Sequence, residues 1–374
     1  MKPIAIYLPQ FHPIKENNEW WGKGFTEWTN VTKAVPLFKG HYQPHLPADL
    51  GFYDLRIPEV REEQAAMAKN YGIHGFCYYH YWFNGRRIME RPFQEIIESG
   101  KPDFPFMLCW ANENWTRVWD GSEKNILLEQ KYSDDDDRAH IQHLLPYFQD
   151  KRYIRIDDKP VIAIYKSVLL PSAQRTVKIW REEAAKAGLE LYICRFENFS
   201  HIGESYLRDG GFDAAIDFQP FGNFLDAFRA KKNAQFQRSL AARISYKAQR
   251  TFVKMISHEK YSSMVHAKAH VLDYNEYVDF VKTQPFPTYS WFPGITPMWD
   301  NSARKKNYFM FHHSSPEKYG EWLKHIKDNF RFKDEKHNFV FINAWNEWAE
   351  GNHLEPDRKW GLRYLETTKQ VLDT

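Results

Sequence analysis

The chain has only three cysteines among its 374 residues and no long apolar run. Cys77, Cys109 and Cys194 have no metal-type spacing, and each falls in a predicted strand. We therefore expect buried thiols in a reducing compartment. No run approaches the ~18 apolar residues of a membrane span, and no signal-peptide core precedes the strand-like start of the sequence. A soluble, cytoplasmic protein is the expectation.

The glycine motifs of several large enzyme classes are also missing. No Gly-x-Gly-x-x-Gly follows the first predicted strand, and neither Gly-x-x-x-x-Gly-Lys-Ser/Thr nor Gly-x-Ser-x-Gly occurs. These absences argue against dinucleotide, P-loop and α/β-hydrolase enzymes. They also weaken, without excluding, a conventional sugar-nucleotide transferase.

No recognisable metal motif is present. Six acidic or histidine side chains are candidates for convergence in the fold, but none has a compact spacing such as His-x-x-x-His with a Glu. They are His12, His80, His312, His313, Glu113 and Glu347. The four aspartates at 134–137 follow Ser133 and precede a helical pattern, which indicates a helix first turn rather than a calcium site. We predict no metal and no cofactor.

Net charge is only +3, but it is unevenly distributed. Residues 223–270 contain ten Lys or Arg against two acidic residues, so this segment carries +8 and the remainder −5. The asymmetry predicts contact with an anionic glycan, a lipid-linked phosphate or a membrane surface through 223–270. We expect no nucleic-acid partner.

Apolar strand-like runs alternate with helical patterns along almost the whole chain. Eight such runs predict a single (β/α)8 barrel over residues 1–374, with a doubly wound sheet as the weaker alternative. Residues 11–55 have weak periodicity and are predicted to form a loop cap after the first strand. Residues 223–275 are predicted as a basic helical insertion between strands six and seven, helical from 224 to about 257. The runs are 4–9, 75–83, 106–110, 161–165, 191–196, 214–219, 289–292 and 338–344.

Aromatic residues make up 17% of the chain, and many stand beside polar residues at the ends of the predicted strands. Carboxyl ends of barrel strands form the active-site face of this fold. Flat amphipathic side chains there are typical of sugar-binding clefts. The predicted substrate-binding residues are Tyr7, His12, Trp28, His80, Tyr81, Trp110, Asn112, Glu113, Asn114, Gln219, Trp299, Trp345 and Asn346.

The last predicted strand leads directly into two glutamates, Glu347 and Glu350, set among tryptophans and followed by Gly351. Cleavage of a glycosidic bond requires an acid for the leaving oxygen and a second carboxylate to activate the nucleophile. Because the two stand three positions apart, a neighbouring-group route suits them. One would deprotonate a substrate hydroxyl that attacks the anomeric carbon, and the other would protonate the departing sugar.

Residues 346–356 resemble the Asn-Glu-Trp-x-Glu-Gly-x-x-x-Glu-Pro signature of glycoside hydrolase family 99, a family of (β/α)8 endo-α-mannosidases and mannanases. Ala349 stands where that family often has His. The resemblance implies that Glu347 is the base acting on a sugar 2-hydroxyl, giving an epoxide-like intermediate, and that Glu350 is the acid. The whole chain is more similar to the WbsX-like proteins, a family-99-like group of bacterial surface-polysaccharide loci often named glycosyltransferases. That similarity includes residues 6–12, 24–30, 79–82 and 110–115.

The sequence therefore predicts a retaining, endo-acting glycoside hydrolase of a bacterial surface polysaccharide. Two alternatives remain open at this point. One is a glycosyltransferase of O-antigen or capsule assembly, and the other is a non-catalytic glycan-binding barrel.

Overall fold

Eight parallel strands form a barrel at the centre of the molecule. The computed structural model describes residues 1–117, 122–199, 201–238 and 271–374. The barrel strands are Lys2–Tyr7 (β1), Gly75–Phe83 (β2), Phe106–Trp110 (β3), Lys159–Ile164 (β4), Tyr192–Glu197 (β5), Ala214–Asp217 (β6), Trp291–Phe292 with Gly294–Ile295 (β7) and Phe339–Ile342 (β8). Most of their residues are buried on both faces, as in parallel sheets covered by helices.

The order of the strands closes the sheet. Each strand pairs in parallel with the next along the chain, and β8 pairs with both β1 and the second segment of β7. Pro293, which has no N–H for the ladder, divides the two segments of β7. The closed order confirms the predicted (β/α)8 barrel and overturns the doubly wound alternative. Each predicted run coincides with one strand, with ends that differ by up to a few residues.

Helices connect the strands and cover the barrel. They are Lys15–Trp21 (α1), Glu27–Lys33 (α2), Pro58–Asn70 (α3), Arg91–Ser99 (α4), Asp134–Phe148 (α5), Ala173–Lys186 (α6), Glu204–Gly210 (α7), Leu225–Arg238 (α8), Tyr274–Val281 (α9), Pro316–Asn329 (α10) and Arg363–Asp373 (α11). The four aspartates form the first turn of α5, and the Ser133 hydroxyl accepts from the Asp136 N–H, which confirms the helix-start interpretation.

Residues 11–55 are not a simple loop cap. They contain the short helices α1 and α2, whose seven residues each are too few to show a period in the sequence. Thr26 begins α2 with a capping box, and the buried Trp28 packs 5.5 Å from Trp348, ring centre to ring centre. The excursion is therefore packed onto the segment that follows β8.

Short strands and single turns of 3-10 helix complete the described structure. Arg86–Ile88 pairs with β2 and Arg155–Ile156 with β4. Three further pairs are Trp115–Arg117 with Ser122–Leu128, Val271–Asp273 with Met310–His312, and Asn346–Glu347 with Asn352–His353. The 3-10 turns are Ser167–Leu169, Asn301–Ala303, Glu335–His337 and Trp348–Glu350.

The basic insertion begins as predicted with a helix, α8. Residues 239–270, on which most of the predicted insertion falls, lie outside the described residues. The three cysteines are buried and unpaired in β2, β3 and β5. Within the described ranges, no helix has the length and apolar character to cross a membrane.

Candidate active site

A cleft of about 470 Å³ opens at the carboxyl ends of the barrel strands. Residues within or following all eight strands line it, so the cleft lies where barrel enzymes place their chemistry. Its lining is aromatic and polar together. The lining includes Leu8, Gln10, Tyr79, Tyr81, Glu113, Asn114, Trp115, Tyr165, Lys166, Phe199, Phe218, Phe221, Trp299, Asn301, Arg304, Phe309, Glu347 and Glu350.

Both predicted glutamates lie in this cleft on one tight hairpin. Asn346–Glu347 pairs antiparallel with Asn352–His353, and the 3-10 turn Trp348–Glu350 joins them; we call residues 346–353 the glutamate hairpin. Gly351 ends the turn at φ +51°, where a Cβ atom would stand 3.0 Å from the Asp300 carbonyl oxygen. A residue with a side chain would be strained in this conformation, so glycine favours the turn that aims Glu350 at the cleft.

Glu347 is almost fully buried, and its Oε2 has no hydrogen-bond partner among the described residues. Burial raises the pKa of the Glu347 carboxyl from its ordinary value of 4.5 to about 7, which Glu27 also favours and Arg304 opposes. A carboxyl that titrates near neutral pH is suited to take up and release protons during a reaction.

Arg304 links Glu350 to a third glutamate. Its guanidinium forms an ion pair with Glu350, and its Nη1 lies 4.0 Å from Oε1 of the fully buried Glu27. Glu27 Oε1 also accepts from the backbone N–H of Ala349, at 3.2 Å, between the two hairpin glutamates. Burial raises the pKa of Glu27, and Arg304 lowers it. Arg304 thus contacts two carboxyl groups, and its charge also lowers the pKa of Glu347. Because one cation serves three carboxyl groups, we expect the cluster to retain a proton.

We expect Glu347→Gln to stabilise the fold at pH 8 by up to about 3 kcal/mol and by much less at pH 4. The folded-state pKa of about 7 exceeds the ordinary 4.5, so the folded chain binds more protons between these values and loses stability as pH rises. The amide removes that loss. Chemical denaturation at both pH values measures it; an equal effect at pH 4 and pH 8 would contradict the assignment.

Aromatic rings form the walls around the carboxyl groups. Tyr79 and Tyr165 meet edge to face at 5.9 Å, and Phe221 meets Trp299 edge to face at 4.9 Å. Burial raises the pKa of Tyr79 well above its ordinary value, and the charge of the nearby Glu347 contributes. The phenols therefore remain neutral donors beside Glu347. Lys166 crosses the cleft edge, 2.5 Å from Glu113 Oε1 and over the exposed Phe199 ring.

Of the predicted site residues, the cleft brings together both glutamates and four of the substrate-binding candidates. These four are Tyr81, Glu113, Asn114 and Trp299. Nine candidates stand behind the walls and are not among the described cleft-lining residues. The nine are Tyr7, His12, Trp28, His80, Trp110, Asn112, Gln219, Trp345 and Asn346.

The polar members of these nine are bonded within the protein. Asn346 holds both backbone groups of Leu8, at 2.8 and 3.0 Å, which fixes the glutamate hairpin to the end of β1. Asn112 does the same for Lys166, at 2.8 and 2.9 Å. Such side chains satisfy buried backbone groups and orient the cleft rather than line it.

The remaining seven pack in the interior or form hydrogen bonds within the protein. The Tyr7 hydroxyl donates to Gln64, Gln219 accepts from Tyr277, and the two indoles Trp28 and Trp110 donate to backbone carbonyls. His80 meets His140 at 3.0 Å between their Nε2 atoms. Trp345 and His12 are buried, and burial lowers the pKa of His12 to about 4.

A known protein family has a model that matches nearly the whole chain. The model described as Glycosyltransferase WbsX matches residues 3–368. The chain belongs to this family. Two strains of Xanthomonas campestris pv. campestris contain an uncharacterized protein WxcX that is 40% identical over 372 residues, 99% of this chain and 49% of theirs. The chain thus spans about half the length of the curated relatives it matches.

Solved structures agree on the fold of this WbsX family member. The GH99 endo-α-mannosidase of Bacteroides thetaiotaomicron superposes with a TM-score of 0.57 at 13% identity, covering 100% of this chain and 96% of that one. A glycoside hydrolase-like protein superposes with a TM-score of 0.55 at 14% identity, over 99% and 93% of the two chains. At these identities the likeness establishes the (β/α)8 fold.

Sequence reasoning missed Tyr79, Tyr165 and Arg304 in the cleft and the fully buried Glu27 next to it. Glu27 and Tyr79 stand inside motifs that carried the family resemblance, so a signal for them existed. Arg304 and Tyr165 gave no signal, because a short basic run in a loop, here Arg304-Lys305-Lys306, and a tyrosine ending a strand are common. Only their positions in the fold bring them to the glutamates.

Two groups of described residues have the spacing of metal ligands. His45, His353 and Asp357 are buried, while Asp157, Asp334 and His337 are more accessible. None of the six metal candidates considered from the sequence belongs to either group.

Proposed function

We propose that the protein is a retaining, endo-acting glycoside hydrolase of a bacterial surface polysaccharide, with Glu347 and Glu350 as its catalytic pair. The observation that carries the proposal is that both carboxyl groups line one aromatic-walled cleft at the carboxyl ends of the barrel strands. Sharing a fold with endo-α-mannosidases supports the reaction class. An oligosaccharide segment fits a cleft with phenol and indole walls.

The proposed mechanism uses a substrate hydroxyl as the nucleophile. Glu347 takes the proton of the 2-hydroxyl, whose oxygen bonds to the anomeric carbon as the bond to the leaving oxygen breaks. Glu350 gives its proton to that leaving oxygen. Glu350 then takes a proton from water, which opens the epoxide-like intermediate, and Glu347 returns the proton to the 2-oxygen. Two displacements at the anomeric carbon give net retention.

Arg304 has a defined place in this scheme. Its ion pair favours the ionised form of Glu350, whereas the acid role requires a proton on that group. We therefore expect bound substrate to displace Arg304 from Glu350 before the leaving oxygen is protonated.

We expect Arg304→Met and Glu27→Gln to move the acid limb of the pH–rate profile in opposite directions. Arg304 lowers and Glu27 raises the pKa of Glu347. Losing Arg304 therefore raises that pKa and moves the limb to higher pH, while losing the Glu27 charge moves it to lower pH. Infrared titration of the Glu347 carboxyl tests the same point without substrate. Lys305→Met, which removes another cation that lines the cleft, is the control. A shift of the acid limb in the same direction in Arg304→Met and Glu27→Gln would contradict the scheme.

The reaction itself is tested by incubating the protein with a panel of bacterial capsule and O-antigen glycans. New internal reducing ends, with retained anomeric configuration by proton NMR, are the expected result. Inverted products, or release of single terminal sugars, would contradict the retaining endo assignment.

A glycosyltransferase of polysaccharide assembly is the second candidate, favoured by the description of the family. It requires saturable binding of a sugar nucleotide or a lipid-phosphate sugar, which calorimetry detects. A non-catalytic glycan-binding barrel is the third, and it requires glycan affinity without turnover by the wild-type chain.

The basic segment stays a proposed contact for an anionic glycan or membrane surface. Its described part lies beside the cleft, because the Arg229 guanidinium is 4.8 Å from the centre of the Phe309 ring, which lines the cleft. An acidic polysaccharide leaving the cleft on this side would meet positive charge.

A further inference from the structure

Three buried side chains converge behind the glutamate hairpin without adequate hydrogen bonding. His353 Nε2 lies 3.4 Å from His45 Nδ1 and 3.9 Å from Asp357 Oδ2. All three ligand atoms lie within 4.8 Å of one another, and each residue is at most 8% exposed. They come from the excursion after β1, the hairpin itself and the segment beyond it, so only the fold brings them together.

The tautomer of His353 is fixed by its other nitrogen. His353 Nδ1 lies 3.0 Å from the backbone carbonyl oxygen of Glu355, which can only accept a hydrogen bond. Nδ1 therefore carries the proton, and Nε2 presents a lone pair to His45 and Asp357. An imidazole oriented by a backbone carbonyl is the usual arrangement of a metal-ligating histidine.

Asp357 adds a second unpaired acceptor. Its Oδ1 accepts from the backbone N–H groups of Lys359 and Trp360, while its buried Oδ2 has no hydrogen-bond partner in the described part of the chain. The Lys359 ammonium instead lies over the Tyr42 and Trp360 rings. His353 Nε2 and Asp357 Oδ2 are thus two neighbouring acceptor atoms. The one donor available to them among the described residues is His45 Nδ1, at 3.4 Å from His353 Nε2. A cation would satisfy all three lone pairs.

We propose that His45, His353 and Asp357 bind one divalent transition-metal ion, with Zn²⁺ as the best match. Tetrahedral zinc with bonds of about 2.0–2.1 Å separates its ligands by about 3.3–3.4 Å, which the two histidine nitrogens match at 3.4 Å, while the Asp357 carboxylate at 3.9 Å from His353 would move inward by about 0.5 Å. Two imidazoles and one carboxylate suit zinc better than calcium or magnesium, which prefer oxygen ligands. A cavity of about 170 Å³ borders His45.

The ion would act as a positioning element for the glutamate hairpin. His353 pairs with Asn346, next to Glu347, and its ring stacks on Trp348 at 3.7 Å. A bound ion would tie this hairpin strand to residues on both of its sides. Metal binding does not depend on the proposed reaction, and its test needs no substrate.

The test uses the full chain without a histidine tag, stripped with a chelator and titrated with Zn²⁺ and Co²⁺. One equivalent per chain is expected, with intense visible bands of four-coordinate Co²⁺ and a Zn²⁺-dependent rise in melting temperature. His353→Gln and Asp357→Asn should each weaken binding at least ~100-fold. His337→Gln, in the accessible group, is the matched control and should keep the equivalent.

Two results would overturn the proposal. One is a stripped wild-type chain that takes up no metal at micromolar concentrations, which needs no variant to be folded. The other is metal bound at the accessible group instead. In that case the folded His353→Gln and Asp357→Asn chains would keep a full equivalent, or the His337→Gln chain alone would lose it.

Discussion

Glu347→Gln and Glu350→Gln are each expected to lower turnover of a cleaved glycan at least ~100-fold while leaving its affinity nearly unchanged. Each amide keeps the size and the hydrogen-bonding edge of the carboxyl but cannot exchange a proton. Both side chains line the cleft, so both losses should appear in kcat rather than in binding. Turnover is measured as reducing ends, and affinity by calorimetry.

Glu113→Gln is the matched control for this pair. Glu113 lines the same cleft but is ion-paired with Lys166, and its side chain is 40% exposed. Because Glu113 is a candidate for substrate binding and not for proton transfer, we expect its kcat to stay within about threefold of the wild type and any loss to appear in affinity. Near-normal turnover in either hairpin variant would remove the mechanism.

Substrates with an activated leaving group separate the two roles. An aryl group leaves without protonation, so Glu350→Gln should release it in the first turnover at close to the wild-type rate, while its later turnovers stay slow because opening of the intermediate still needs a base; Glu347→Gln should show no such burst. The reverse pattern would exchange the acid and base assignments while keeping the pair.

Glu355→Ala is expected to lower the free energy of unfolding by about 3–5 kcal/mol. The carboxylate is 2% exposed and accepts from the Tyr53 hydroxyl, the Gln64 amide and the Trp348 indole at 2.7 to 2.8 Å. Removing it leaves three buried donors without an acceptor and a void between α3 and the glutamate hairpin. Urea denaturation followed by tryptophan fluorescence measures the loss.

Glu63→Ala supplies the comparison, because Glu63 is exposed on α3, next to Gln64. Its effect should stay within about 0.5 kcal/mol. A loss below about 1 kcal/mol in Glu355→Ala would mean that the buried acceptor is not what joins these elements.

The sequence made the barrel predictable because each strand is a short, continuous apolar run. Burial on both faces forces that pattern, as in β3 and β8, and no solvent-facing position interrupts it. Glu347 and Glu350 were predictable for the opposite reason, since acids directly after such a run break the pattern abruptly.

Other features depend on the fold alone. Arg304 reaches Glu350 across 46 residues, and His45 reaches His353 across 308, and neither pair has any local signature. Strand-end position also could not separate Trp299, which lines the cleft, from Trp110, whose indole faces the helices behind it. Whether a strand-end side chain turns inward or outward is decided by packing with neighbouring elements.

The most direct test of the account is a crystal structure of the Glu350→Gln variant with a bound oligosaccharide substrate. The account predicts that the intact glycosidic bond crosses the cleft between the two hairpin side chains. The Glu347 carboxylate should lie within hydrogen-bond distance of the sugar 2-hydroxyl, and the residue-350 amide should lie beside the leaving oxygen. A sugar bound with either side chain out of reach of that bond would contradict it.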